Sequence, residues 1–155
     1  MGREIERKLL VDEPPPLGED WRAQRLEQGY LAVTDDAEVR IRRADGDDGR
    51  LTVKSSPGLS RVEEELPLGP GAFERLWPLT EGRRLVKVRH TREDAPGVVF
   101  ELDVYEGSLA GLVVLEVEFA DEDAARAWTP PDWAGREVTG EKAYANQSLA
   151  LHGAP

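Results

Sequence analysis

The chain of 155 residues has no cysteine. That excludes a disulfide framework and thiolate catalysis, and it is compatible with the cytoplasm, the expected location. It has no apolar run long enough to span a bilayer and no apolar signal region at its start. It also lacks positive charge. The formal net charge of −11 argues against nucleic acid or an anionic membrane surface as the main partner, while leaving room for a small anion in a local basic pocket. Aromatics make up only 6%, against 33% charged residues, so a soluble chain with many charges to place is expected. Lysine is rare beside arginine: only Lys8, Lys54, Lys87 and Lys142 occur among 20 basic residues. Such a bias matches genome composition, and lysines kept against it stand out. The length fits one domain over residues 1–155, enough to bury a real core.

What is present is a recurring strand pattern. In Glu4-Ile5-Glu6-Arg7-Lys8 a period of two puts Glu4, Glu6 and Lys8 on one face. Pro14-Pro15-Pro16 then forces a loop, and Trp21 marks re-entry into the core. Strands follow over about Gln24 to Val33 and over Glu38 to Arg42, where Arg40 and Arg42 oppose Val39 and Ile41. The Asp45 to Gly49 run is a hairpin signal leading into Leu51-Thr52-Val53-Lys54. Pro57-Gly58 turns the chain into Arg61 to Leu66, where Arg61, Glu63 and Glu65 share a face and Glu64 points the other way. Further strands carry Lys87 with Arg89, Glu101 with Asp103, and Glu116 with Glu118.

Helical segments are expected after Pro70, where Phe73, Leu76 and Trp77 recur at helical spacing. Two more are expected from an Asp121 N-cap through Trp128, and from about Glu141 to Leu151. The fold class is therefore α+β, mainly β: an eight-stranded antiparallel β-barrel or curled sheet with a few short flanking helices.

The plain alternative is a sheet with one wet face, whose charges pair across strands for about 0.2–1 kcal/mol each. Against it, nearly every strand centre carries a charge doublet, with acidic and basic strands sorted. Turned inward, such residues need water or a ligand between them, because unpaired buried charge is too costly. Arginine and lysine suit a polyanion, and carboxylates suit a hard cation such as Mg²⁺ or Mn²⁺. A polyphosphate with its metal needs both.

Glu4-Ile5-Glu6-Arg7-Lys8 also resembles the E-x-E-x-K signature of the CYTH domain, within the triphosphate tunnel metalloenzyme superfamily. The resemblance continues in order through Gly29-Tyr30-Leu31, Val39 to Arg42, Thr52-Val53-Lys54, Arg61 to Glu65, Lys87-Val88-Arg89, Phe100 to Val104, Leu115 to Glu118, and Val138 to Ala150. It implies a tunnel that binds a small-molecule triphosphate with Mg²⁺ or Mn²⁺. By similarity, Lys8, Arg40, Arg42, Lys54, Lys87 and Arg89 hold the phosphates and carry catalysis. Glu4, Glu6, Glu116 and Glu118 hold metal, and Glu63, Glu65, Glu101 and Asp103 line the acidic side.

The implied activity is hydrolysis of inorganic tripolyphosphate or a related triphosphate, by a monomer or homodimer. A class IV adenylate cyclase, a thiamine triphosphatase and a non-catalytic polyphosphate- or nucleotide-binding module stay open, as do one metal or two. Ala143 departs from the pattern, since many short bacterial members carry a basic residue there; Lys142 comes one position earlier. Tyr30 and Tyr144 are read as packing residues, and His90 and His152 as solvent-facing.

Overall fold

A computed structural model describes residues 4–55 and 62–155. Pro57-Gly58 and Arg61 lie outside them. Eight strands form one antiparallel sheet: β1 (Glu6–Leu10), β2 (Arg22–Val33), β3 (Ala37–Ala44), β4 (Arg50–Ser55), β5 (Glu63–Pro67), β6 (Arg84–Ala95), β7 (Val98–Tyr105) and β8 (Val113–Phe119). Their spatial order is β1-β8-β7-β6-β2-β3-β4-β5. Three short helices flank the sheet: α1 (Ala72–Leu76), α2 (Glu122–Ala127) and α3 (Asn146–His152). Among the described residues, no helix is long and apolar enough to cross a membrane.

The mainly β architecture matches the expectation, with one qualification about closure. No ladder joins β1 to β5 among the described residues. The reason is local. The free edge of β1 is already occupied by residues 135–138: Gly135 N–H donates to Leu10 O at 2.7 Å, Leu10 N–H to Arg136 O at 2.8 Å, and Val138 N–H to Lys8 O at 2.8 Å. A strand edge offers one row of donors and acceptors, so a segment seated there excludes another strand. Among the described residues the sheet is therefore not closed by a ladder between its end strands.

Alternation then sorts the two faces. On the outer face Leu9, Phe100, Leu102, Leu115 and Val117 are buried with Trp21 and Phe119. Trp128 and Trp133 each meet Phe100 edge-on at 6.0 Å. Each large apolar side chain removed from water contributes about 1.5–3 kcal/mol. α2 completes this layer; as expected it starts on Asp121, whose Oδ1 accepts from Ala124 N–H at 2.7 Å. α1 covers β3, with the Arg43 guanidinium over the Phe73 ring at 4.2 Å. Gly29 permits the close approach of β2 to the turn after α1, because a Cβ there would sit 2.6 Å from the Thr80 side chain.

The last predicted helix is divided. A 3₁₀ turn over Lys142–Tyr144 and an extended Ala145 precede α3. This break lets α3 fold over one end of the inner face. There Tyr144, Leu149 and Ala150 pack with Tyr30, Leu85, Tyr105 and Val114. Tyr30 and Tyr144 are packing residues, and Leu151 is only half-buried. His152 is exposed as expected, whereas His90 is half-buried, opposite Leu102.

Candidate active site

Cross-strand partners in an antiparallel sheet point to the same side, so the register decides which charges meet. Glu6 opposes Glu118 and Lys8 opposes Glu116. Glu116 opposes Glu101, and Arg89 opposes Asp103. Across the sheet, Arg89 faces Gln24 on β2, Arg40 lies between Tyr30 and Thr52, and Lys54 lies between Glu38 and Glu63. One continuous face thus carries the charge doublets of β1, β3, β4, β5, β6, β7 and β8. Strands β2 to β5 enclose a cavity of about 490 Å³ on that face, lined by Gln24, Arg40, Arg42, Thr52 and Glu65 among others.

The face is not a wet one. Lys87 is 3% exposed and Asp103 is 1%. Asp103 accepts from Lys87 Nζ at 2.7 Å and from Arg89 Nε and Nη2 at 2.8 and 2.9 Å. Burial alone would push the Asp103 carboxyl up, yet these two cations hold it below the ordinary aspartate value. Arg89 also reaches Glu101 at 2.5 Å and Glu116 at 3.5 Å. Burial opposes its charge, but Asp103, Glu101 and Glu116 together raise its pKa. Lys8 pairs with Glu116 at 3.3 Å and donates to Tyr144 O at 3.2 Å.

The remaining cations are differently placed. Arg40 lies 3.7 Å from Glu38. Arg42 and Lys54 have no ion pair among the described residues, and Arg42 is half-buried. Burial, then the nearby Arg89 and Arg40, depress the Arg42 pKa. Asp103 and Glu101 oppose that effect from a distance, and among the described residues no carboxylate forms an ion pair with it. A half-buried cation so placed is chemically suited to an anion.

The acids show the converse strain. Glu6 is pushed up by burial and then by Glu116, with Glu4 and Glu118 adding to the effect against Lys8. Glu101 is pushed up to about 7, by burial first, with Glu118, Glu116 and Asp103 adding to it and Arg89 opposing. Carboxylates that repel one another this way are hard oxygen donors suited to Mg²⁺ or Mn²⁺ in kind. Among the described residues no three of them converge into a ready metal cage.

Of the predicted residues, Lys8, Arg40, Arg42, Lys54, Lys87, Arg89, Glu6, Glu101, Asp103, Glu116 and Glu118 come to this face. Glu63 and Glu65 share the face but are exposed on its end strand β5, where Glu65 pairs with Arg50 at 3.1 Å, and Glu4 precedes β1 and is exposed. Glu64 points away, as expected. Lys142 lines a cavity of about 240 Å³ with Glu6 and Lys8. Glu38 was missed, although it shares the parity of Arg40 and Arg42; that parity was its available signal. Gln28 and Tyr105 were missed too, because a neutral residue leaves no mark in a charge pattern. Gln28 Nε2 donates to Tyr30 Oη at 3.0 Å, and the Tyr105 ring lies 5.3 Å from Lys87 Nζ.

A mainly β protein with sorted acidic and basic strands on one buried face is the class this geometry defines. More narrowly, the chain belongs to the CYTH domain family, whose model matches residues 2–150. It is 50% identical to an inorganic triphosphatase of Nitrosomonas europaea over 149 residues, covering 96% of this chain and 97% of that one. It is 38% identical to an inorganic triphosphatase of Acetivibrio thermocellus, covering 96% and 94%. The crystal structure of the inorganic triphosphatase NE1496 superposes with a TM-score of 0.83 at 46% identity, covering 98% of this chain and 100% of that one. CYTH triphosphatases are generally metal-dependent.

Proposed function

We propose that this protein is a metal-dependent triphosphatase that hydrolyses inorganic tripolyphosphate on its charged inner face, yielding phosphate and pyrophosphate. The observation that carries the reading is Arg42: half-buried, without an ion pair among the described residues, and with Arg89 and Arg40 outweighing Asp103 and Glu101 around it. A bound polyanion would relieve that arrangement. The two relatives named inorganic triphosphatase, at 50% and 38% identity, supply the substrate class.

In this reading Arg42, Lys54 and Arg40 take phosphate oxygens first, because Arg42 and Lys54 have no ion pair among the described residues and Arg40 is only loosely held by Glu38. Lys8, Lys87 and Arg89 complete the cationic lining. Arg40, Arg42 and Arg89 contribute forked hydrogen bonds, and the lysines contribute point charges. Together they compensate the charge that redistributes over the reacting phosphoryl group. Glu4, Glu6, Glu116 and Glu118 are the residues that would hold Mg²⁺ or Mn²⁺, which when bound neutralises phosphate charge and orients the nucleophile. Glu101, pushed up to about 7, is suited to accept a proton from attacking water near neutral pH. Asp103, with Lys87 and Arg89 on its oxygens, positions those cations. Glu63 and Glu65 line the outer rim.

The test is phosphate release from tripolyphosphate, ATP and thiamine triphosphate, with and without Mg²⁺ or Mn²⁺. The native chain should cut tripolyphosphate in preference, and only with metal. Glu6→Ala and Lys8→Ala should each nearly abolish turnover while circular dichroism stays native. Turnover that survives either substitution would overturn the site assignment.

A further inference from the structure

Glu38 is an acid of the inner face to which the triphosphatase reading gives no task. It stands near the start of β3, opposite Lys54 on β4, and shares its face with Arg40. Its Oε1 accepts from Gln147 Nε2 on α3 at 3.4 Å. Its Oε2 is buried and takes no hydrogen bond among the described residues. Arg40 Nη1 lies 3.7 Å from that oxygen, beyond hydrogen-bond range. A buried acceptor left open is costly, and it calls for a donor.

The surroundings say what kind of donor fits. Glu38 and Lys54 line a cavity of about 220 Å³ with Asp35 and Gln147. The charged and titratable groups around Glu38 are Arg40 on its own strand, Lys54 across the ladder, Asp35 in the bend before β3, and Tyr30 on β2. Burial and then Glu38 raise the Tyr30 pKa. α3 contributes the neutral Gln147.

We infer that Glu38 reads the end of the phosphate chain: its open oxygen accepts the P–O–H hydrogen of a terminal phosphoryl group whose other oxygens Lys54 and Arg40 hold. The inference rests on the triphosphatase reading and adds which part of the triphosphate lies at the α3 end of the face. A phosphoryl unit inside a chain is fully ionised at neutral pH and brings only acceptors. A terminal unit has a second, weaker ionisation and can keep a proton. An ionised oxygen set against the Glu38 carboxylate is repelled, whereas a protonated one supplies the missing donor. The proton is shared across a hydrogen bond, and no covalent bond breaks. An esterified end has no such proton, so a nucleoside triphosphate would enter with its free end toward α3.

Cyclic trimetaphosphate is the probe, because it has phosphoryl units but no chain end. Metal-free affinities of tripolyphosphate and trimetaphosphate are measured calorimetrically on the native chain. The pH is varied across the last ionisation of tripolyphosphate, located by phosphorus NMR. Deprotonation of lysines on the face weakens both ligands alike. The tripolyphosphate to trimetaphosphate affinity ratio should nevertheless fall about tenfold per pH unit above that ionisation, the linkage of one proton. A ratio that stays level, or rises with the added charge of the ligand, would overturn the inference. So would a lack of metal-free tripolyphosphate binding.

Glu38→Gln offers an amide that can donate to an ionised oxygen, so its ratio should lose the pH dependence. The native slope retained in this variant would overturn the inference and leave Glu38 as a support for Arg40. Metal-dependent phosphate release from the native chain, measured alongside, keeps the outcomes apart. Release with a level ratio removes the chain-end contact alone. No release removes the triphosphatase reading, while the metal-free ratio still decides the contact.

Discussion

Replacing Asp103 by asparagine removes one negative charge from the centre of the inner face while preserving shape. Asp103 is 1% exposed, so water cannot take over its role. Three charge-assisted bonds are lost or weakened, from Lys87 Nζ and from Arg89 Nε and Nη2. Arg89 retains Glu101 at 2.5 Å. Lys87, 3% exposed, keeps the Tyr105 ring at 5.3 Å and at best a neutral amide oxygen in place of its carboxylate. Breaking a buried pair so that one charge is stranded costs about 3–5 kcal/mol. For a chain of this size each kcal/mol lowers Tm by roughly 2–4 °C, so a fall of about 6–20 °C is expected. Urea unfolding followed by tryptophan fluorescence reads the loss, since Trp21 sits in the buried outer layer. A second substitution sharpens the point. Adding Lys87→Met to Asp103→Asn removes the stranded ammonium and should recover at least about 1 kcal/mol, a non-additivity typical of residues in contact. A loss below about 1 kcal/mol in Asp103→Asn, or simple additivity in the double variant, would refute the claim that this buried pair organises the face.

Arg42→Ala should lower kcat/KM for tripolyphosphate by about 30- to 100-fold, the equivalent of one charged hydrogen bond. Its urea midpoint should stay level or rise, because Arg42 is crowded by cations in the free protein; a clear loss of stability would contradict that. Mn²⁺ binding at pH 6.5 should release a proton, because Glu101, pushed up to about 7, is largely protonated in the metal-free protein and a nearby cation favours its charged form. Titration in an unbuffered solution reads the proton, Glu101→Gln should lower the yield, and a yield unchanged in that variant would discount Glu101 as a proton acceptor. Glu137 is held below its ordinary value of 4.5, first by the Arg7 hydrogen bond. A depressed carboxyl stabilises the fold above the unfolded value and loses that contribution as pH falls through the folded one. The stability gap between native protein and Glu137→Gln should therefore be present at pH 7 and close below pH 4.5; a gap that persists in acid would show the pair to be unimportant.

The alternation of charged and apolar residues by itself determined much of this protein. A period of two leaves each strand one choice of face. It therefore settled that Arg40 and Arg42 oppose Val39 and Ile41, and that Glu101 with Asp103 and Glu116 with Glu118 belong to one side. The Asp121 cap and the turn glycines were equally local, hence legible. Pairing between distant strands was not. Whether Arg89 meets Asp103, or Lys8 meets Glu116, depends on register across the sheet, and period-two patterns of similar length satisfy many registers equally well. The partner at the free edge of β1 escaped for the same reason. Residues 135–138 carry no strand signature, yet they bond along that edge. Only the packed chain separates Arg42 and Lys54, which form no ion pair among the described residues, from Lys87 and Arg89, already neutralised by Asp103. In the sequence all four are simply basic residues on strands, because the cost of burying charge depends on which neighbour the fold supplies.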